Sequence, residues 1–120
     1  MAITLLSLAQ NYLHQGRYSE ALPLFQRSLA IHERVLGSNH PDTAKSLMSV
    51  ARAYRIGGLY AEAEPLFQRS LTTLEAALGP EHRDVAILLE NYALLLNEMG
   101  RLEEAASLEA RSLAIRAKSA

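Results

Sequence analysis

A recurrence of 42 residues governs this 120-residue chain. Gly16, Gly58 and Gly100 fall at that interval, as do Ala9, Ala51 and Ala93, and Ala21, Ala63 and Ala105. Laying residues 1–42 over residues 43–84 gives 21 identities in 42 positions. Unrelated helical stretches would agree several-fold less often. A period of this length marks an array of small supersecondary units, each burying its apolar face against the next. The chain holds about three copies, the third incomplete, with Met1 aligned on Thr43.

Each unit reads as two helices. The first carries small or apolar residues at offsets of three and four, which place them on one helix face. These are Leu5, Leu8, Ala9 and Tyr12, then Leu47, Val50, Ala51 and Tyr54, then Leu89, Tyr92, Ala93 and Leu96. The second carries Ala21, Phe25, Ser28 and Leu29, repeated as Ala63, Phe67, Ser70 and Leu71. It starts near Tyr18, Tyr60 and Leu102, just past a glycine, and ends at Leu36-Gly37 and Leu78-Gly79. Glycine after the last helical residue is a C-terminal signal. Pro41 suits a first helical turn, and Asp42, Glu81 and Asp84 put negative charge at helix starts. The expected helices are 2–15, 18–36, 41–57, 60–78, 82–99 and 102–118. Pro23 and Pro65 fall in the second turn of the second helices, where each removes one backbone hydrogen bond. Either those helices start late or they bend.

Composition removes several classes of function. Twelve Lys+Arg against 13 Asp+Glu leave a net charge of −1, without the basic excess of a nucleic-acid module. No cysteine is present, which excludes disulfides, thiolate metal sites and cysteine nucleophiles. No apolar run approaches the ~18 residues that span a bilayer. The first residues lack a basic region, so no secretory signal is expected and a cytoplasmic location is. His14, His32, His40 and His82 have no metal-pair spacing and no carboxylate cluster beside them, so no metal site is expected. His40 and His82 are repeat-related, which points to a role at helix starts. His82-Arg83-Asp84 matches a kinase triplet only by its letters. No catalytic constellation, cofactor motif or phosphate-binding loop is present, so catalytic residues and cofactors are expected to be none.

Leu8-Ala9, Tyr12, Gly16-Arg17-Tyr18, Glu20-Ala21 and Phe25 together resemble the tetratricopeptide repeat. The 42-residue period, with Leu36-Gly37 and His40-Pro41-Asp42 at the junction, resembles the kinesin-light-chain type of that family. The resemblance covers essentially the whole chain. Its repeat positions are Ala9, Tyr12, Gly16, Ala21 and Phe25, then Ala51, Tyr54, Gly58, Ala63 and Phe67, then Ala93, Gly100 and Ala105. It implies an all-α fold: a right-handed superhelix of three helix-turn-helix units and six helices. These would form a single domain over 1–120, with units of about 1–42, 43–84 and 85–120. It also implies a non-enzymatic protein-binding scaffold, with a concave groove lined by first helices.

Carried over residue by residue, the groove positions are Ile3, Leu6, Gln10, Leu13 and His14 in the first unit. In the second they are Lys45, Met48, Arg52, Arg55 and Ile56, and in the third Ile87, Glu90, Leu94, Asn97 and Glu98. The peptide-binding set expected from these is Gln10, Leu13, Lys45, Met48, Arg52, Arg55, Leu94 and Asn97. Lys45, Arg52 and Arg55 put three positive charges on one helix. The expected ligand is a protein or an extended peptide with one or two acidic residues beside an apolar anchor, and neither nucleic acid nor membrane. The positions that match a C-terminal-carboxylate clamp are Leu6, Gln10, Ser49, Ile87 and Asn91, a poor fit to its Lys, Asn and Arg.

The third unit departs from the pattern. Glu109 stands where the others have Phe25 and Phe67, and Arg116 stands where the second has Leu74, which reads as a polar end cap. Leu88 and Leu95 are new apolar positions, either packed against the second unit or forming an exposed strip. The alternative function is therefore structural self-assembly, through open solenoid ends or that strip, giving a monomer or weak homo-oligomer.

Overall fold

The computed structural model describes residues 2–119, with side chains described for residues 7–118. Six helices run in chain order: α1 (Ala2–His14), α2 (Tyr18–Leu36), α3 (Pro41–Ile56), α4 (Tyr60–Leu78), α5 (Arg83–Glu98) and α6 (Leu102–Ser119). Every boundary lies within one residue of the sequence expectation, and no strand occurs among the described residues. α2 and α4 begin at Tyr18 and Tyr60 and continue through Pro23 and Pro65, so the late-start alternative is wrong.

The hairpin turns repeat in atomic detail. Gly16, Gly58 and Gly100 sit at φ +74, +80 and +80°, a region that side chains with a Cβ rarely enter. The next N–H then reaches back five residues: Arg17 to Tyr12, Leu59 to Tyr54 and Arg101 to Leu96, all at 2.8 Å between N and O. Each glycine N–H closes the shorter bond, to Leu13, Arg55 and Asn97. This Schellman arrangement satisfies carbonyls that a helix end would otherwise orphan. In the first unit the Arg17 guanidinium also covers the Tyr12 ring at 4.5 Å.

The junctions between units use histidine as a cap. His40 Nδ1 accepts the Asp42 N–H and His82 Nδ1 accepts the Asp84 N–H, both at 3.0 Å. The helix-start role expected for these residues is what the structure shows. It requires Nδ1 to be the unprotonated ring nitrogen. Thr43 Oγ1 donates to the Gly37 carbonyl at 2.7 Å and ties the start of α3 to the end of α2.

Packing follows the repeat positions. Ala9, Ala21, Ala51, Ala63 and Ala105 are fully buried, so paired helices approach without an intervening side chain. Buried Ser70 and Ser112 donate to the Ala44 and Ala86 carbonyls at 2.6 and 3.1 Å, stitching α4 to α3 and α6 to α5. Phe25 and Phe67 fill the space beneath the next first helix. Phe67 stacks on Tyr92 with centroids 5.6 Å apart, while Phe25 packs with Val50 and Ala53. Leu88 and Leu95 are fully buried in the core that joins the second and third units. The exposed-strip reading is thereby corrected: these leucines pack inward. Glu109 and Arg116 face outward and bond back to α5, to Asn97 and Glu90.

One contact was not legible from the repeat. Gly57 lies against the Tyr18 ring, and a Cβ on Gly57 would fall inside that ring. The equivalent residues are Gln15 and Met99, so this glycine answers a local neighbour. Gly57→Ala is expected to destabilise the fold by about 1–3 kcal/mol through overpacking. Chemical denaturation should show most of that loss relieved when Tyr18→Ala is added. Separately, His82→Ala should cost about 1 kcal/mol through the lost cap, and His82→Asn should recover most of it.

Candidate binding groove

The inner face is built by α1, α3 and α5, and two adjoining pockets open on it. The larger holds about 310 Å³ and is lined by Gln10, Lys45, Met48, Ser49, Arg52, Leu74, Asp84 and Ile87. The smaller holds about 200 Å³ and is lined by Gln10, Leu13, His14, Arg52 and Ile56. Gln10 and Arg52 border both, so they form the partition between them.

Of the expected binding residues, Gln10, Leu13, Lys45, Met48 and Arg52 come together here. Leu94 is half exposed and lines neither pocket. Asn97 donates to Glu109 on α6 at 3.0 Å, away from the pockets. Glu90 also turns to α6, where it accepts from Ser112 and Arg116. The side chains of Ile3 and Leu6 lie outside the described residues. Three lining residues were missed as groove positions. Ser49 entered only the comparison with a carboxylate clamp, Leu74 is a core residue of α4 whose edge floors the larger pocket, and Asp84 was read only as a helix-start charge.

Asp84 changes the electrostatics. Lys45 Nζ lies 3.1 Å from its Oδ2, and Arg55 donates to Glu98 Oε1 at 2.9 Å. Two of the three expected positive charges are therefore neutralised within the fold. Arg52 is the exception: no carboxylate among the described residues pairs with it, and its buried Nε, like that of Arg55, has no acceptor. Burial, followed by repulsion from Arg55, pulls the Arg52 guanidinium below the ordinary arginine range. It remains a cation at neutral pH. A half-buried charge without a counter-ion has lost hydration and gained nothing in return. An incoming carboxylate would supply what is missing, and the guanidinium fork suits it.

No group of three His, Asp or Glu residues among the described residues could hold a metal ion. No described helix is long and apolar enough to cross a membrane.

Comparison with known proteins agrees with this geometry. The model of the tetratricopeptide repeat family matches residues 1–75 and again residues 49–118. The chain belongs to that family, whose domains generally serve as protein-interaction modules. Its structural neighbours are kinesin-light-chain-like. A protein of that type from Podosopora anserina, with nearly identical TPR-like repeats, superimposes with a TM-score of 0.89 at 29% identity. The match covers 98% of this chain and 56% of that one. BtubC (BKLC) from P. vanneervenii matches with a TM-score of 0.88 at 21% identity, over 98% of this chain and 46% of that one. This chain thus spans about half the length of both. The TPR domain of Arabidopsis FLU gives a TM-score of 0.82 at 17% identity, covering 99% and 96% of the two chains. The last two likenesses concern the fold alone. No curated protein matches the sequence.

The pairing of Glu90 has a pH consequence. The Arg116 guanidinium, with help from Ser112, holds the Glu90 carboxyl below the usual glutamate range. A depressed folded pKa contributes stability above the unfolded pKa and loses it as the pH falls through the folded value. Glu90→Gln should therefore lower stability at neutral pH, by under ~1 kcal/mol because the pair is partly solvated. The difference from the parent protein should vanish in acid, below the glutamate range, when denaturation midpoints are followed against pH.

Proposed function

We propose that this chain is a non-enzymatic scaffold whose inner groove binds an extended protein segment carrying an acidic residue beside apolar ones. The observation that carries this is Arg52, half buried between two pockets with no counter-ion among the described residues. Met48, Leu74 and Ile87 supply apolar surface on one side of it, and Leu13 and Ile56 on the other. Rigid helices hold these groups in place before a ligand arrives, so little of the binding free energy is spent ordering the scaffold. A cytoplasmic location and a monomeric or weakly associating state belong to the same reading. Catalysis, nucleic acid and membrane do not.

Self-assembly through the solenoid ends has less support. Leu113, 69% exposed on α6, leaves an apolar spot at that end. Around it, however, Glu109 replaces the phenylalanine that would pack under a following helix. A peptide array probed with the parent chain and with Arg52→Glu tests the main reading. The parent should capture peptides rich in acidic and apolar residues, with capture falling as salt rises. Arg52→Glu should lose at least about tenfold in affinity, the order expected for a charge-assisted pair. An unchanged set of captured peptides would remove the groove from consideration.

A further inference from the structure

The groove has a register as well as a charge. Met48, Arg52 and Ile56 follow one another at intervals of four on α3, so they stand on one face. Four helical residues rise about 6.0 Å, at 1.5 Å each. Two residues of an extended strand advance about 6.6 Å, and alternate side chains point the same way. A strand laid along α3 therefore keeps step with it, every second side chain meeting every fourth helical residue. The mismatch is only about 0.6 Å per step by the same figures. The pockets agree with this order: Met48 lines the larger, Ile56 the smaller, and Arg52 the wall between them.

Charge narrows the ligand further. Beside Met48, Lys45 is already satisfied by Asp84, and beyond Arg52, Arg55 is already satisfied by Glu98. A second acidic side chain beside Met48 would meet a neutral ion pair whose carboxylate, Asp84, lines the larger pocket, while Arg55 and Glu98 line neither pocket. Among the described residues, only the centre of the groove holds an uncompensated cation.

We propose that the groove reads a five-residue pattern in extended conformation: an apolar residue, a spacer, a single acidic residue, a spacer and a second apolar residue. The acid meets Arg52, and the two apolar side chains enter the pockets on either side of it. This rests on the groove reading above and adds to it the order and number of the recognised groups.

The test uses blocked peptides, acetylated and amidated so that terminal charges do not compete. The parent probe is Ser-Leu-Ser-Glu-Ser-Leu-Ser. A shuffled probe, Ser-Leu-Glu-Ser-Ser-Leu-Ser, keeps the composition, and a third places Gln for Glu. Titration calorimetry on the full chain should rank the parent probe about tenfold or more above both others, the order expected for one charge-assisted contact. Arg52→Gln should erase the difference between the Glu and Gln probes, whereas Lys118→Gln, on α6 and lining neither pocket, should leave it in place. Ile56→Ala, at an exposed position that does not threaten folding, should weaken the parent probe several-fold. Equal binding of the parent and shuffled probes, both lost in Arg52→Gln, would overturn the register and leave the groove standing. Binding indifferent to Arg52→Gln, or no binding by any probe, would overturn both.

Discussion

The contact on which the rest depends is the insertion of a second-helix aromatic beneath the following first helix. Phe25 and Phe67 are essentially fully buried, and each reaches into the next unit. A single helix hairpin cannot bury both of its faces, so this contact turns three hairpins into one stack. It works only because Ala21 and Ala63, one turn before each phenylalanine, let α2 and α4 lie close to their own partners. The buried serines add direction to that closeness, since Ser70 and Ser112 find a carbonyl on the paired helix at only one rotation.

Charge then marks the register. Arg69 reaches Glu33 and Arg111 reaches Glu75, each spanning 36 residues back to the preceding second helix. Such partly exposed pairs contribute little stability. Their use is to disfavour a slipped alignment, which would leave these charges facing uncharged residues. The junction between the second and third units carries a denser network. Arg101 donates to both oxygens of Glu64 and to Glu104, and Tyr92 joins Glu64 to Gln68. At the first junction the residues equivalent to Glu64 and Arg101 are Leu22, packed on the core, and Leu59, which is exposed, so no ion pair forms between them there. The two junctions show that the stack forms with or without an ion pair at these positions.

Nearly all of the fold was legible in the sequence, because one constraint, the 42-step period, was sampled repeatedly. The repeat-related glycines, alanines and phenylalanines named helices, turns and core together. What escaped was whatever occurs once. Gly57 answers Tyr18 alone. Asn97 and Glu90 were placed by their helix face, but α6 ends the described stack and its polar residues draw both away from the groove. The pairing of Lys45 and Arg55 was also hidden. Their partners lie 39 and 43 residues on, three short of the period and one beyond it, and the repeat alignment compares only positions 42 apart.

Those same offsets explain why Arg52 is left alone. Adding 39 or 43 to its number reaches Asn91 and Leu95, and subtracting them reaches Leu13 and Ala9. None is acidic, so no neighbouring first helix can offer a carboxylate at the distance that satisfies Lys45 and Arg55. Beside two cations that find partners across helices, such an omission has a cost. The fold bears the partial desolvation of a guanidinium and its repulsion from Arg55. Mutation to a neutral residue would relieve that cost at once, whereas a ligand carboxylate would turn it into binding free energy. A groove whose other charges are internally cancelled gains selectivity from the one that is not. Acidic segments in general meet only neutral pairs, and a segment is favoured only when its acid falls at the centre.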